Sequence, residues 1–269
     1  MAGTGKLRRI VVKVGTTTLT RENGSVNFRN MDLLARILSD IKGMGYEIIL
    51  VSSGAIGIGA AKLGLKERPS ELRYKQAVAA VGQCEMMHLY DKFFGEYGQT
   101  VSQILLTEED VAETHHRENL INTFQALLDM GIIPIVNEND SVSFAEIESG
   151  HNKVFGDNDT LSAIVAVLCK ADLLILISDI DGLYDKDPRI HPDACRIPVV
   201  ESITEEIRSL AGGAGSCWGT GGMCTKLSAA EIVMARGIDM VIADGGEMEK
   251  LYPLLRGEPV GTVFQGAKS

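Results

Sequence analysis

Six short apolar runs, separated by segments of helical period, constrain this chain more than any other feature. The runs fall at 10–14, 48–51, 101–106, 132–136, 173–177 and 240–243. Apolar runs of this length suit strands buried on both faces. Between most of them lie segments with the 3.6-residue period of a helix, at 31–44, 71–97, 115–130, 160–170 and 226–236. Strands alternating with helices imply an α/β layer fold around a mostly parallel sheet. In such sheets ligands bind beyond the carboxyl ends of the strands.

The chain is expected to form one domain over 1–269, long enough to bury a sizeable core. A soft division near 165–180 separates a substrate lobe, about 1–170, from a nucleotide lobe, about 171–269. Residues 183–222, with Asp-Pro, His-Pro and Ile-Pro steps and a glycine-rich patch at 212–215, read as an excursion over the sheet. There is no internal repeat.

A formal net charge of -10 argues against nucleic acid as a partner, since that needs a basic face. No apolar run approaches the roughly 20 residues of a membrane span. The longest, 171–180, is interrupted by Asp172 and Asp179 and reads as a buried strand. The N-terminus leads into a strand and carries no signal-peptide pattern. Five cysteines (Cys84, Cys169, Cys195, Cys217, Cys224) without a C-x-x-C pair read as reduced thiols, which with the rest points to the cytoplasm. His115 and His116 are adjacent on a helix, point in different directions and read as a surface pair.

Polar clusters follow the strands. Lys13 stands two residues before a Gly15-Thr16-Thr17-Thr18 turn, with only Val14 between. A lysine within an apolar strand is costly unless it has a partner, so one at the strand's end is expected to reach the crevice. Ser52-Ser53-Gly54-Ala55-Ile56-Gly57 opens a helix and offers hydroxyls and N–H groups to an anion, although Ser there also serves as a plain cap. Asn137-Glu138-Asn139-Asp140 offers carboxylate and amide acceptors that suit a substrate ammonium and repel a phosphorylated substrate. Phe155-Gly156-Asp157-Asn158-Asp159-Thr160 carries more acid than one helix cap requires. Asp159 there is placed to order two lysines or to hold Mg²⁺.

The stretch Gly219-Thr220-Gly221-Gly222-Met223-Cys224-Thr225-Lys226 runs a glycine turn straight into a helix with a lysine on its first turn. Backbone N–H groups, the positive end of the helix and the lysine together make a cradle for a polyphosphate. The segment matches neither the P-loop pattern nor the dinucleotide fingerprint. Two other glycine runs, 3–6 and 57–62, lack the spacing of either motif.

Taken together, VVKVGTTTLT, VSSGAIGIG, NENDSV, FGDNDTLSA, SDIDGLYDKDPR and GTGGMCTK resemble the amino acid kinase family, in order from Lys13 to about residue 245. The resemblance implies a three-layer α/β/α sandwich around an open, mostly parallel sheet. It implies ATP-dependent phosphorylation of the γ-carboxylate of L-glutamate, the first step toward proline, with ATP as co-substrate and Mg²⁺.

Carried over by motif, Lys13 and Lys226 would neutralise the transferring phosphoryl, and Asp159 would align them and is the candidate Mg²⁺ ligand. Ser53, Gly54, Asn137, Asp140, Asp157 and Asn158 would bind glutamate. Lys13, Ser178, Asp179 and the run Thr220, Gly221, Gly222, Met223, Cys224, Thr225, Lys226 would hold ATP, with 182–184 and Asp187-Pro188 near the adenine. The resemblance further implies a homo-oligomer, dimer or tetramer, feedback inhibition by L-proline and a glutamyl-phosphate reductase as consumer of the product. The helix at 71–97 is the candidate self-association face.

Two features depart from the family pattern. Many bacterial members that phosphorylate glutamate carry a C-terminal RNA-binding-type (PUA) domain, which this sequence, ending at Ser269, is expected to lack. Ser178 and Cys224 stand where the family usually has threonine and a small polar residue. Relatives acting on aspartate, and a catalytically silent amino-acid binder on the same fold, remain open alternatives; the acidic 137–140 cluster disfavours N-acetylglutamate or a nucleoside monophosphate.

Overall fold

The computed structural model describes residues 8–21, 24–142, 157–211 and 222–267. Its strands are β1 (Arg9–Val14), β2 (Glu47–Val51), β3 (Val101–Leu106), β4 (Ile133–Glu138), β5 (Leu173–Ser178), β6 (Val199–Val200), β7 (Asp239–Asp244) and β8 (Thr262–Phe264). They form one sheet in the order β3-β4-β2-β1-β5-β7-β8-β6. Every described pairing is parallel except β7 with β8. All six strands expected from the apolar runs are present. The additional β6 and β8, of two and three residues, are too short to show a period.

The helices are α1 (Thr16–Leu19), α2 (Phe28–Gly43), α3 (Ala55–Lys62), α4 (Leu72–Glu96), α5 (Glu108–Ala112), α6 (Thr114–Asp129), α7 (Asn158–Leu168), α8 (Glu205–Leu210), α9 (Met223–Met234) and α10 (Leu251–Leu255). A 3₁₀ turn at Gly245–Lys250 leads into α10. Within the excursion expected at 183–222, the described residues add only β6 and α8.

Strand parity divides the core into two layers. Val11, Ile49, Val51, Leu174 and Leu176 face one way and pack with Phe124 of α6, Leu161 and Val165 of α7, and Leu227 and Val233 of α9. Ile10, Val12, Ile48, Leu50 and Ile175 face the other way and pack with Leu34 and Leu38 of α2, Met86 and Phe94 of α4, and Leu251 of α10. The result is the three-layer α/β/α sandwich. Each fully buried side chain of this size stabilises the fold by about 1.5–3 kcal/mol, and successive residues of every central strand contribute to opposite layers.

Asp172 sits just before β5, not inside it, and its Oδ2 accepts the backbone N–H groups of Arg8 and Arg9 at 2.9 and 2.8 Å. The acid that interrupts the apolar run therefore ties the start of β1 to the start of β5. On the other face, α3 and α4 cross in close contact through Gly59 and Gly82. A Cβ on Gly82 would fall 1.7 Å from the Ala55 carbonyl oxygen, and one on Gly59 2.0 Å from that of Val78. Eight residues of α4, among them Val78, Met86 and Phe94, are buried within this chain.

Candidate active site

The parallel register brings the carboxyl ends of β4, β2, β1 and β5 side by side: Val136 beside Val51, Val51 beside Lys13, and Val14 beside Ile177. β1 is the switch point. The chain crosses from it to β2 on one side and reaches β5 on the other only after building the far edge. A crevice opens at such a point.

Lys13 shares the parity of Val11, so its side chain leaves β1 on the face covered by α7 and α9. Both helices begin at that end of the sheet. Asp157 caps α7, its side chain accepting the Asp159 N–H at 3.4 Å, which places Asp159 on the first turn. Lys226 stands on the first turn of α9. The three meet: Lys13 Nζ is 2.5 Å from Asp159 Oδ1 and Lys226 Nζ is 3.1 Å from Asp159 Oδ2. The Thr225 hydroxyl donates to the same Oδ2 at 2.9 Å and receives the Gly222 N–H at 3.3 Å.

Asp159 is 0% exposed, Lys13 7% and Lys226 8%. Burial alone would push the Asp159 carboxyl up, but the ammonium groups of Lys13 and Lys226 outweigh it and hold the carboxyl below its ordinary value. Two ammoniums against one carboxylate leave a net positive charge at the carboxyl end of the central strand, aimed by a group that water does not reach.

Beside this triad lies an amide network. Asn158 Nδ2 donates to the Ser52 carbonyl at 2.7 Å and to Asn137 Oδ1 at 3.1 Å. Asn137 Nδ2 in turn donates to Gln83 Oε1 of α4 at 3.1 Å. The Ser53 hydroxyl lies 3.2 Å from the Thr16 hydroxyl and donates to the Val14 carbonyl at 3.2 Å. Gly54 caps α3 with φ +95°, a left-handed conformation that glycine adopts at little cost.

Two clefts meet over the triad. The first, about 440 Å³, is lined by Lys13, Ser53, Gly54, Asn137, Asp140, Asp157, Asn158, Ser178, Asp179 and Lys226, with Gly15, Thr16, Thr17 and Arg68 among the remainder. The second, about 420 Å³, shares Ser178, Asp179 and Lys226 with it. It extends past Leu183, Tyr184, Asp187 and Pro188 to Gly222 and Met223. The Ser178 hydroxyl donates to Asp179 Oδ1 at 3.1 Å, while Arg189 pairs with Asp179 Oδ2 at 3.1 Å.

The structure thus brings nearly all the site residues expected from sequence to one crevice. Thr220 and Gly221 lie outside the described residues. Cys224 lines neither cleft and is disulfide-bonded. The expectation of free thiols therefore holds for Cys84, Cys169 and Cys195 and is corrected at Cys224. His115 and His116 are exposed on the first turn of α6 and line neither cleft. Among the described residues no group of three or more His, Cys, Asp or Glu side chains is arranged to hold a metal ion. No helix among them is long and apolar enough to cross a membrane.

Sequence reasoning missed Arg68 and Gln83. Arg68 lies in a polar stretch where charge is ordinary. Gln83 sits inside the helical pattern of α4, and only its buried position and its bond to Asn137 mark it.

Comparison with known proteins points the same way. Residues 8–244 match the model of the amino acid kinase family. The chain is 56% identical over 261 residues to glutamate 5-kinase of Clostridium perfringens, covering 97% of this chain and 96% of that one. It is 52% identical over 261 residues to glutamate 5-kinase of Listeria innocua, covering 97% and 94%. Among solved structures, UMP kinase from Bacillus anthracis superposes with a TM-score of 0.64 at 16% identity, covering 97% of each chain. An isopentenyl phosphate kinase from T. acidophilum gives 0.62 at 18% identity, covering 96% of this chain and 100% of that one. At such low identity these two structures bear on the fold alone.

Proposed function

The chain belongs to the amino acid kinase family, and from that premise we propose that it transfers the γ-phosphoryl of ATP to the γ-carboxylate of L-glutamate. The product is L-glutamyl 5-phosphate, and the reaction is the first step of proline biosynthesis. The observation that carries this reading is the Lys13–Asp159–Lys226 triad, set where two clefts join.

The first cleft takes glutamate. Asp140 and Asp157 supply acidic partners for its ammonium group, Ser53 and Asn158 supply polar contacts, and Asn137 holds Asn158 in place. The second takes the nucleotide, with Ser178, Asp179, Gly222 and Met223 on its wall and Leu183, Tyr184 and Pro188 toward the base. Thr225 and Cys224 continue this wall along the start of α9, and Thr220 and Gly221 are assigned to the nucleotide from the sequence motif alone. The division near residue 170 is then functional, a substrate lobe and a nucleotide lobe within one continuous sheet.

A γ-carboxylate, with an ordinary pKa of about 4.3, is already ionised at neutral pH, so the attacking oxygen needs no general base. Phosphoryl transfer then rests on positioning and on neutralising charge at the transferring group. Lys13 from the strand and Lys226 from the helix approach that group from opposite sides, and Asp159 keeps their long side chains aimed. This removes reorganisation from the reaction step.

The kinase chemistry brings Mg²⁺ with ATP, and the ion's role is to offset charge on the phosphate oxygens. Asp159 does not suit direct coordination, because its oxygens are already engaged by Lys13, Lys226 and Thr225 and are closed to solvent. Mg²⁺ usually keeps several waters and relies on substrate phosphates, so the nucleotide itself is the better host. The reading also takes in cytoplasmic location, a homo-oligomer, L-proline as a feedback ligand at or beside the glutamate cleft, and a glutamyl-phosphate reductase that consumes the labile acyl phosphate.

The test is to incubate the protein with ATP, Mg²⁺ and hydroxylamine while offering L-glutamate, L-aspartate and N-acetyl-L-glutamate in parallel. Hydroxamate formed with glutamate alone supports the reading. Hydroxamate with aspartate or the acetylated substrate instead, or with none, rejects it.

A further inference from the structure

Arg68 is the one cation lining the glutamate cleft that the mechanism above does not use. Among the described residues that line it the cations are Lys13, Arg68 and Lys226. The two lysines are neutralised in part by Asp159. Arg68 makes no ion pair or hydrogen bond with any described residue, although it lies on the loop between α3 and α4 among several acids. A guanidinium without a carboxylate at the mouth of a polar cleft is a group kept for something that enters the cleft.

Its position says which part of the ligand that is. A Cβ built on Gly57, in the first turn of α3, would stand 3.1 Å from Arg68 Nη2 and 3.8 Å from the Thr16 methyl. The Thr16 hydroxyl is 3.2 Å from the Ser53 hydroxyl. The guanidinium therefore lies over the start of α3, on the Ser53 side of the cleft, and the missing side chain at Gly57 gives it room. The N–H groups that open α3 have no partner within the helix and face the same region.

We infer that Arg68 binds the α-carboxylate of the amino-acid substrate and is a specificity-determining residue of this site. This inference rests on glutamate being the substrate. L-Glutamate carries three charges. Its γ-carboxylate must lie at Lys13 and Lys226 to receive the phosphoryl, and its ammonium is drawn to Asp140 and Asp157. The α-carboxylate then needs a cation distinct from the two lysines, and Arg68 supplies it, with a planar fork that matches a carboxylate. The cleft thereby demands a free α-carboxyl as well as a free γ-carboxyl.

The experiment compares L-glutamate with its α-amide, L-isoglutamine, which keeps the reacting γ-carboxylate and loses only the charge Arg68 reads. Wild type, Arg68→Ala and Arg68→Lys are assayed by hydroxamate trapping, with isoglutamine measured as a substrate or as a competitive inhibitor. Arg68 is exposed and unpaired, so the variants keep the fold.

Arg68→Ala is expected to lower kcat/KM for glutamate about 10- to 100-fold, the range for losing hydrogen bonds to a charged group. The loss falls on the KM for glutamate, with the KM for ATP and the isoglutamine constant unchanged, and Arg68→Lys recovers part of it. An unchanged glutamate constant, or equal losses on glutamate and isoglutamine, overturns the assignment. Wild-type protein that traps no glutamyl hydroxamate would instead overturn the substrate reading on which the assignment stands.

Discussion

Lys226 Nζ lies 3.1 Å from Asp159 Oδ2, a contact between the first turns of two helices made across 67 residues of chain. Lys13, from the central strand, takes the other oxygen of the same carboxylate at 2.5 Å. A single buried acid thus fixes two flexible cationic side chains whose free rotation would otherwise have to be lost at each turnover. Long charged side chains carry about 2 kcal/mol of rotamer entropy each, so prealignment is a material part of what this geometry contributes.

Replacing that acid has two separable effects. Asp159→Asn keeps the shape and removes the charge, leaving two ammonium groups together in a dry site. Turnover should fall at least about 100-fold, the scale of removing one preorganised electrostatic group, and breaking the buried pair should cost about 3–5 kcal/mol of stability. Because the carboxyl is held below its ordinary value in the folded state, its contribution is present above the unfolded value of 3.8 and disappears as pH falls through the folded one. Urea midpoints measured from about pH 6 down to about pH 2 should therefore fall more steeply in wild type than in the variant. Parallel pH profiles would show that Asp159 is not held by the lysines in solution.

Lys226→Ala removes one cation and leaves Asp159 paired with Lys13. The fold should persist, since no charge is stranded, while most turnover is lost because the transferring phosphoryl has lost its support from the nucleotide side. The expected loss is about 10²–10³-fold in kcat, typical of removing one preorganised electrostatic donor. Steady-state kinetics beside a circular-dichroism melt separate the two quantities. Near-normal turnover would reject the role given to this lysine.

Much of the fold was legible because parallel strands buried on both faces leave nearly continuous apolar runs, as in β2 and β5, and in β1 but for Lys13. The triad was legible for the opposite reason: Lys13 and the 157–159 acids are expensive where they stand unless something compensates them. What stayed hidden has no local signature. The short β8 turns antiparallel beside β7 because the chain doubles back after α10, a tertiary fact rather than a pattern. Arg68 sits among Lys66, Glu67 and Glu71, where nothing but the folded position of its guanidinium over Gly57 distinguishes it. The disulfide at Cys224 was likewise invisible, since cysteine spacing carried no pairing motif.

Asp140 lines the first cleft from the loop after β4 and makes no contact with the Asp159 carboxylate that pairs the two lysines. Asp140→Ala should act on binding and leave the chemical step largely alone. The KM for glutamate should rise by about 10-fold or more, as expected for losing a hydrogen bond to a charged group, with the KM for ATP little changed. A variant that lowers kcat with no change in the glutamate KM would place Asp140 in the transfer step and contradict its assignment to the substrate ammonium.

The α3–α4 crossing offers a test of how tightly the cleft depends on packing behind it. A methyl group at Gly82 would fall 1.7 Å from the Ala55 carbonyl oxygen and 2.6 Å from the Gly59 nitrogen, backbone atoms that have no other place to go. Gly82→Ala must therefore push α3 outward, and with it Gly54, Ala55 and Ile56, which form one wall of the first cleft, the one proposed for glutamate. Overpacking of this kind should cost about 1–3 kcal/mol and raise the glutamate KM together with the loss of stability. At Gly95, near the end of the same helix, an added Cβ would meet nothing within 4 Å. There Gly→Ala should instead be neutral or stabilising, by up to about 1 kcal/mol, since only helix propensity changes. Urea unfolding of both variants, each paired with a glutamate titration, distinguishes a close backbone contact from a general intolerance of α4. Equal behaviour of Gly82→Ala and Gly95→Ala would show that the crossing is looser than these distances state and that α3 is positioned by other contacts.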